Sequence, residues 1–323
     1  MCRAGAKNAW YVLLVLIVLA TFAGWQAPAV VHAISPSELP AMGAGLCGIA
    51  YWHTQWPFAD AMKRGCRWRY DSDETTCSNV DSNGWPQEAN VHSYIFLDAK
   101  DTYGNYRYPT GDYVLTWEGG DVSLSRGSLT EEDLSSTPKR RVYNIPDTNG
   151  MIRVDVNSAP ASNIHLWMPG CEGQASSFHP EFVSKLDPFN VIRFMDWGPT
   201  NHSTQQYWSD RKPVDYCTYD SCEYFVSNAA VPYEIMIELC NEVGADMWVC
   251  VPHMATDNYV TNLAQLIRDN LDTGLRCWVE YTNENWNGMF DQYDWIQNNL
   301  TGENHPDKYG RRVGEIFQIF ETE

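Results

Sequence analysis

Basic residues are scarce in this chain. Its 323 residues include 22 Lys and Arg against 41 Asp and Glu, which gives a formal net charge of −19. Nucleic-acid binding usually requires a basic stripe or patch, and the sequence has none. The same imbalance disfavours an anionic membrane surface. We therefore expect no nucleic-acid partner and no membrane partner for the mature protein.

Several motifs that carry chemistry are also missing. The chain has no glycine-rich phosphate loop and no Gly-x-Ser-x-Gly nucleophile elbow. No Cys/His spacing is typical of a zinc site, and no cysteine has an obvious histidine partner. The sequence therefore predicts neither a metal nor an organic cofactor.

Long hydrophobic runs are missing except near the N-terminus. Arg3 and Lys7 precede an apolar run over 11–22, and small residues follow at 31–33. A basic start, an apolar centre and a small-residue cleavage position are typical of a signal peptide, here over 1–33. The run is short for a membrane-spanning helix, so an uncleaved anchor is the second interpretation. The pattern predicts a secreted, extracellular protein.

The cysteines fit an oxidising compartment. Cys66 and Cys77 flank a polar loop, and Cys217 and Cys222 flank a shorter one. Both pairs are candidates for local disulfides. Three further cysteines lie in apolar runs and are expected to be buried thiols: Cys47, Cys250 and Cys277.

Residues 88–169 consist of short runs with alternating hydrophobicity. VHSYIFLD, GDYVLTWEG and RRVYNIP are examples, and glycine, proline, asparagine and aspartate separate them. This alternating pattern predicts a small all-β sandwich at 88–169. It would be inserted after an initial strand and helix at 34–87.

Strands and helices alternate from residue 170 onward. Apolar strands near 190–196, 246–252 and 276–282 are separated by amphipathic helical segments, and another apolar strand lies near 46–51. Such alternation implies a parallel sheet covered by helices, and each strand ends in polar groups, as at the rim of a (β/α)8 barrel. The predicted fold is therefore α/β: the first four strands of a TIM-type barrel, over 34–87 and 170–323, with the β-sandwich inserted.

Four strands are half of the eight that a closed barrel needs. Half a barrel leaves two unpaired parallel edges. The first interpretation is that the sequence is a fragment that lacks the second half of the barrel. Two alternatives remain open: the half-barrel pairs with a second copy, or the sheet is an open α/β sheet whose strands are miscounted.

The strongest local signal is the segment EYTNENWN, which begins at Glu280. An apolar strand leads directly into Asn283 and Glu284, and Trp286 follows. Hydrolysis of a glycosidic bond needs one carboxylic acid to protonate the leaving oxygen and a second carboxylate to attack the sugar or activate water. An acid beside an amide and an indole, with little water, can stay protonated near neutral pH. The segment therefore predicts a glycosidase acid/base at Glu284.

In these residues the chain resembles the cellulase-like superfamily of retaining glycoside hydrolases (clan A), which are (β/α)8 barrels. There an Asn-Glu pair ends the fourth strand, and Asn283-Glu284 matches it in residue type and strand count. An arginine near the end of the second strand and a histidine ending the third are common there, and Arg193 and His253 match them. Residues 51–57, YWHTQWP, resemble the segment after the first strand in secreted members with an inserted β-domain.

The resemblance covers roughly 44–70 and 170–323, and it implies the site. Glu284 would be the catalytic acid/base, with Asn283 beside it on the sugar, and the substrate would be a polysaccharide or oligosaccharide. The superfamily's nucleophile is a second Glu at the end of the seventh strand, and no residue of this chain matches it. The candidate substrate-binding residues are Arg193, His253, Trp52, Trp56, Asp196, Trp197, Tyr281 and Trp286.

Structural interpretations remain open beside the functional ones. Arg193 could pair with Asp196 or Glu280, Glu284 could cap a helix, and the tryptophans could pack in a core. At the level of function, the alternative to a secreted glycoside hydrolase is a non-catalytic carbohydrate-binding protein. The presence or absence of a second carboxylate near Glu284 separates the two.

Overall fold

A computed structural model describes four stretches of the chain: residues 42–97, 108–147, 150–220 and 230–323. The predicted signal peptide at 1–33 and Cys222 lie outside them. The described residues belong to one compact unit. It contains one parallel and one antiparallel sheet, which confirms the α/β class. In these four stretches no helix combines the length and apolar character needed to cross a membrane.

The strands in chain order are β1 (Gly43–Gly45), β2 (Arg69–Tyr70), β3 (Val91–Phe96), β4 (Gly111–Leu124), β5 (Ser128–Asp133), β6 (Lys139–Ile145), β7 (Ile152–Trp167), β8 (Val191–Arg193), β9 (Asp246–Val251) and β10 (Cys277–Tyr281). The helices are α1 (Pro180–Leu186), α2 (Tyr233–Val243), α3 (Asp257–Asn270), α4 (Asp291–Asn299) and α5 (His305–Thr322). Short 3-10 turns lie at Ala61–Arg64 and Trp208–Asp210.

The parallel sheet has the order β1-β8-β9-β10, so its strands lie side by side in the order of the sequence. Every pair is parallel. Helix α2 connects β8 to β9, and α3 connects β9 to β10. The three later strands lie where the sequence predicted them.

The first strand differs from its prediction. It is Gly43–Gly45, whereas the sequence predicted a strand near 46–51. Ile49 and Ala50 are buried as the prediction requires, but they belong to a loop. The guanidinium of buried Arg64 donates to the Ala50 carbonyl at 2.9 Å. Because a side chain satisfies this carbonyl, the apolar run is buried without a strand partner.

The helices cover one face of the parallel sheet. On β9, the alternate residues Met247, Val249 and Val251 are fully buried in the same core as Met236 of α2 and Leu263 of α3. Because strand side chains alternate, Trp248 lies on the opposite face, level with Trp278 of β10. Both rings are substantially exposed. The second face of the sheet is therefore open to solvent at these two tryptophans.

The antiparallel sheet has the order β2-β3-β7-β4-β6-β5. It is one continuous sheet, whereas a sandwich requires two. Strands β4 and β7 pair along most of their length, with register shifts near Gly119. Gly119 has φ +84°, and a Cβ on Gly120 would lie 1.8 Å from the Ser158 carbonyl oxygen. Glycine at both positions lets the long strands bend and continue, so the chain forms one sheet in place of two.

The core of the antiparallel sheet also draws on the chain before residue 88. Met62, Trp68, Cys77 and Trp85 are buried in it. Residues 61–85 therefore pack with the antiparallel sheet rather than with the helices of the parallel one. The domain boundaries at 87/88 and 169/170 remain predictions.

The two predicted disulfides are wrong. Cys77 and Cys217 each carry a free thiol, so neither the Cys66–Cys77 nor the Cys217–Cys222 bond is formed. Cys77 and Cys217 are buried in the core of the antiparallel sheet, and burial raises the pKa of Cys217 to about 12. They pack there as small apolar side chains.

The three cysteines predicted to be buried thiols differ in their exposure to solvent. Cys250 is buried, as expected, and Cys277 is half-buried. Cys47 is exposed, which corrects its prediction. The reason is the shift of the first strand, because Cys47 follows β1 in the loop instead of lying within a central strand.

We expect substitutions on the two faces of the parallel sheet to differ in cost. Met247→Ala removes a fully buried side chain from the helix-covered core and should lower the free energy of unfolding by about 2–5 kcal/mol. Trp278→Ala acts on the open face and should cost no more than about 1 kcal/mol. Urea denaturation of both variants tests this, and equal costs would contradict a sheet covered on one face only.

Candidate functional site

The carboxyl ends of the parallel strands share one edge of the sheet, and the polar candidates gather there. Arg193 ends β8, Cys250 lies near the end of β9, and Glu280 precedes the last residue of β10. Asn283 and Glu284 follow β10 immediately. Since parallel strands end on the same side, residues about 90 positions apart in sequence become neighbours.

A bidentate ion pair occupies the centre of this edge. Arg193 Nη2 lies 2.9 Å from Glu280 Oε1 and 2.8 Å from Oε2, and Arg193 Nε lies 3.1 Å from Oε2. The indole of Trp248 donates to the same Oε2 at 2.9 Å, and the Cys250 thiol at 3.4 Å. The pair joins β8 to β10 across β9. The structure thus favours Glu280 over Asp196 as the hydrogen-bonded partner of Arg193.

The amide of Asn283 is held on both sides. Its Oδ1 accepts from Arg193 Nη2 at 3.2 Å, and its Nδ2 donates to Asn201 Oδ1 at 3.2 Å. Fully buried Gln292 donates to Asn201 Oδ1 at 2.8 Å and to the Asn283 carbonyl at 2.7 Å. The sequence predicted neither Asn201 nor Gln292, since polar residues in a loop and at a helix start carry no specific signal.

Glu284 lies on a strained turn. Its φ is +48°, and that of Thr282 is +53°. Left-handed backbone costs a residue with a side chain of order 1–3 kcal/mol and persists only where the surroundings enforce it. The Glu284 side chain is half-buried and hydrogen-bonds to no other described residue. The carboxylate of Glu284 is thus without a hydrogen-bond partner in the described part of the chain, one residue after the fixed amide of Asn283.

Asp196 belongs to a second group at the same edge. Burial raises the pKa of Asp196, while the nearby charges of Arg193 and His53 oppose the increase. Cys47 Sγ lies 3.5 Å from Nδ1 of His53, but the same Nδ1 lies 2.6 Å from the Gly48 carbonyl oxygen. Burial and the charge of Asp196 raise the pKa of Cys47. This group therefore lacks the lowered thiol pKa of a nucleophilic cysteine.

His253 is buried, with 1% of its surface exposed. Burial lowers its pKa to about 4, so the imidazole is neutral at pH 7. Its Nδ1 is fully buried and has no hydrogen-bond partner among the described residues. The ring meets Trp295 edge-on, with ring centres 5.7 Å apart. His253 thus follows the third strand of the sheet, as predicted, without a hydrogen bond to Arg193, Glu280 or Asn283.

Two aromatic candidates are core residues. Trp197 has no exposed surface, packs against Phe58 and Phe178, and donates its indole N–H to the Cys47 carbonyl at 3.1 Å. Tyr281 is 1% exposed, and its hydroxyl donates to the His253 carbonyl at 2.8 Å. Both rings are enclosed by protein and their polar atoms already have hydrogen-bond partners, so neither is placed to bind a sugar. Both corrections have one cause: residue type does not reveal on which side of a strand end a ring lies.

The other three tryptophans remain accessible. Trp286 is 70% exposed two residues after Glu284. Trp52 and Trp56 are half-buried. Trp52 contacts His53, and Trp56 packs edge-on against His179. Their role as sugar platforms stays a prediction.

Possible metal ligands converge elsewhere, at the antiparallel sheet. Asp71, His92 and Asp155 place one ligand atom each within 4.8 Å of one another. His92 Nδ1 lies 2.6 Å from Asp71 Oδ1, and its Nε2 lies 3.3 Å from Glu74 Oε2. Both ring nitrogens of His92 already contact carboxylates. These contacts connect the turn after β2 to strand β3. It includes none of the predicted site residues.

Comparisons of this chain with protein-family models, curated proteins and solved structures found no match.

The Arg193–Glu280 pair should couple strongly. We expect a double-mutant cycle of Arg193→Met and Glu280→Gln, measured by urea denaturation, to give an interaction free energy of about 1–3 kcal/mol, because both groups are three-quarters buried. The control is the exposed pair Lys185–Glu181, where about 0.3–0.5 kcal/mol is expected. Equal coupling in the two cycles would contradict a central role for the site pair.

His253 should make stability fall in mild acid. Above pH 6.5 the imidazole is neutral in both states; between about 6.5 and about 4 the unfolded chain takes up a proton that the folded protein resists. The free energy of unfolding should fall by up to about 3 kcal/mol over this range. Denaturation from pH 7 to pH 4 should show a shallower decline for His253→Asn. An unchanged slope would place the protonation elsewhere.

Proposed function

We propose that this protein is a secreted glycoside hydrolase that cleaves O-glycosidic bonds of a polysaccharide with retention of configuration, with Glu284 as acid/base. The observation that carries the proposal is the Glu284 carboxylate. It has no hydrogen-bond partner among the described residues, and it belongs to a residue with left-handed backbone that directly follows Asn283 in sequence. A general acid needs such a free carboxyl group next to a group that orients the sugar.

The order of the parallel strands supports the finer fold, the first half of a (β/α)8 barrel. Consecutive parallel strands with helices on one face are the repeating unit of that barrel. In the described part of the chain no strand pairs with the outer edge of β10. A pocket of about 260 Å³ lies along it, lined by Trp248, Trp278 and Phe317 among others. The open face and edge have the form that further strands of a barrel would cover.

The proposed reaction uses two carboxylates, that of Glu284 and a second one. Glu284 protonates the leaving oxygen while the second carboxylate attacks the sugar, about 5–5.5 Å away, to form a glycosyl–enzyme bond. Glu284 then takes a proton from the water that breaks this bond. We propose that the second carboxylate comes from strands beyond β10, so that this chain by itself is inactive.

Asn283 and the surface charge favour a neutral substrate. With Arg193 on its oxygen and Asn201 on one N–H, Asn283 keeps a second N–H for a sugar hydroxyl. That bond would strengthen in the transition state. The net charge of −19 disfavours a polyanion.

The alternative is a non-catalytic carbohydrate-binding protein. The exposed rings of Trp286, Trp278 and Trp248 favour it, because flat aromatic faces bind sugars without any catalytic group. It predicts glycan binding without hydrolysis, even in the natural full-length protein.

Glu284→Gln in the natural full-length protein tests the proposal. Hydrolysis of unactivated oligosaccharides should fall by about 10²–10⁴-fold, because the glutamine amide cannot give up a proton. The glycosylation rate should fall much less with a nitrophenyl glycoside, because its leaving group needs little protonation. The measurement is the initial rate on both substrates, with circular dichroism to confirm folding.

Glu303→Gln is the matched control, since Glu303 is an exposed carboxylate outside the site. It should leave both rates unchanged. Retention of most oligosaccharide activity in Glu284→Gln would end the assignment. Glycan binding without hydrolysis in the unsubstituted full-length protein would favour the alternative.

A further inference from the structure

A second pocket lies beside the candidate site, on the side of His253. Its volume is about 360 Å³, within the range of small-molecule sites. It is bounded by residues 203–204, by His253 and Met254, and by one face of α4. None of the residues assigned to catalysis lines it.

The buried imidazole of His253 is the observation that points to a ligand. It is 1% exposed, and neither ring nitrogen hydrogen-bonds to a described residue. A neutral imidazole has one N–H to donate and one lone pair that accepts. Leaving such a buried group unsatisfied costs about 1–3 kcal/mol, and native proteins rarely accept this cost. A ligand with hydroxyl groups would supply the hydrogen-bond partner that the imidazole lacks, since a hydroxyl both donates and accepts.

Helix α4 supplies matching groups along one face. Asp291, Asp294, Trp295 and Asn298 follow the spacing i, i+3, i+4 and i+7, and all four line the pocket. Asp291 Oδ2 lies 3.2 Å from His202 Nδ1, whereas the side chains of Asp294 and Asn298 make no hydrogen bond to a described residue. Carboxylates accept hydrogen bonds from vicinal hydroxyls, an amide does both, and an indole offers an apolar face.

The charge of the pocket selects among hydroxylated ligands. Its lining includes two carboxylates and no lysine or arginine. Sugar acids and phosphorylated sugars would therefore be repelled. An uncharged ring meets no such repulsion.

We propose that this pocket is an accessory subsite that binds a neutral sugar unit. The inference rests on the proposed function for the identity of the chain to which that unit belongs. Helix α4 connects the pocket to the loop that carries Asn283 and Glu284. Gln292, next to Asp291, donates to the Asn283 carbonyl at 2.7 Å. A polysaccharide held at the pocket is thereby positioned by the same helix turn that holds the acid/base loop.

Nuclear magnetic resonance with simple sugars tests the subsite. The probes are methyl β-glucoside, methyl β-galactoside and methyl β-mannoside, with methyl β-glucuronide and glucosamine as charged comparisons. At least one neutral glycoside should shift the imidazole ¹⁵N signals of His253 in a saturable way, and the glucuronide should not. The inference is overturned if no neutral glycoside shifts them, or if only glucosamine does.

Substitutions on α4 locate the binding. Asp294→Ala should weaken the neutral glycoside by at least about tenfold, since it removes a charged acceptor. Gln297→Ala is the matched control, because Gln297 is exposed on the same helix and lies outside the pocket lining. It should leave the dissociation constant unchanged. Equal effects of the two substitutions would overturn the inference.

The Glu284→Gln variant separates this inference from the proposed function. Sugar binding at His253 should persist in it, because Glu284 does not line the pocket. If Glu284→Gln abolishes hydrolysis while Asp294→Ala binds the glycoside normally, the accessory subsite fails and the proposed function stands. If Glu284→Gln keeps its activity while binding depends on Asp294, the proposed function fails and the subsite stands.

Discussion

The ion pair between Arg193 and Glu280 is the interaction on which the rest of the candidate site depends. It crosses from β8 to β10 over β9, and β9 contributes the indole of Trp248 and the thiol of Cys250 to the same carboxylate. A charge partly removed from water is tolerable only when it is paired and hydrogen-bonded. With Glu280 satisfied in this way, Arg193 still has an N–H for Asn283, and the loop after β10 is fixed.

Periodicity predicted the parts of the fold that repeat. Burial on one side of α3 follows directly from helix geometry and was readable in the sequence as an amphipathic segment. Strand β9 was readable as a short apolar run. The first strand was misplaced because periodicity reports burial rather than pairing. Residues 46–50 include buried apolar side chains, yet Arg64, at a distant sequence position, satisfies the Ala50 carbonyl. No pattern local to the run reveals that partner.

The remaining errors also concern long-range geometry. The bend at Gly119 and Gly120 makes one sheet of two long strands, and its sequence signal, a glycine pair within a strand, is equally compatible with a turn between two sheets. Trp197 and Tyr281 are residue types that bind sugars, but both rings are buried in the hydrophobic core. Gln292 and Asn201 were missed because they hydrogen-bond around Asn283 only when α4 packs against the strand ends in the folded protein.

Two glutamates four residues apart, Glu280 and Glu284, show how environment divides the roles of identical side chains. Glu280 accepts from a guanidinium, an indole and a thiol, so its oxygens are occupied by the protein. The backbone reverses its path at Thr282 and Glu284, where φ is positive, and the second carboxylate leaves this network. Only that carboxylate has oxygens free to exchange a proton with a bound substrate. In the proposed glycosidase mechanism, Glu284 rather than Glu280 would therefore be the acid, and the left-handed backbone at Thr282 and Glu284 would serve to separate the two carboxylates.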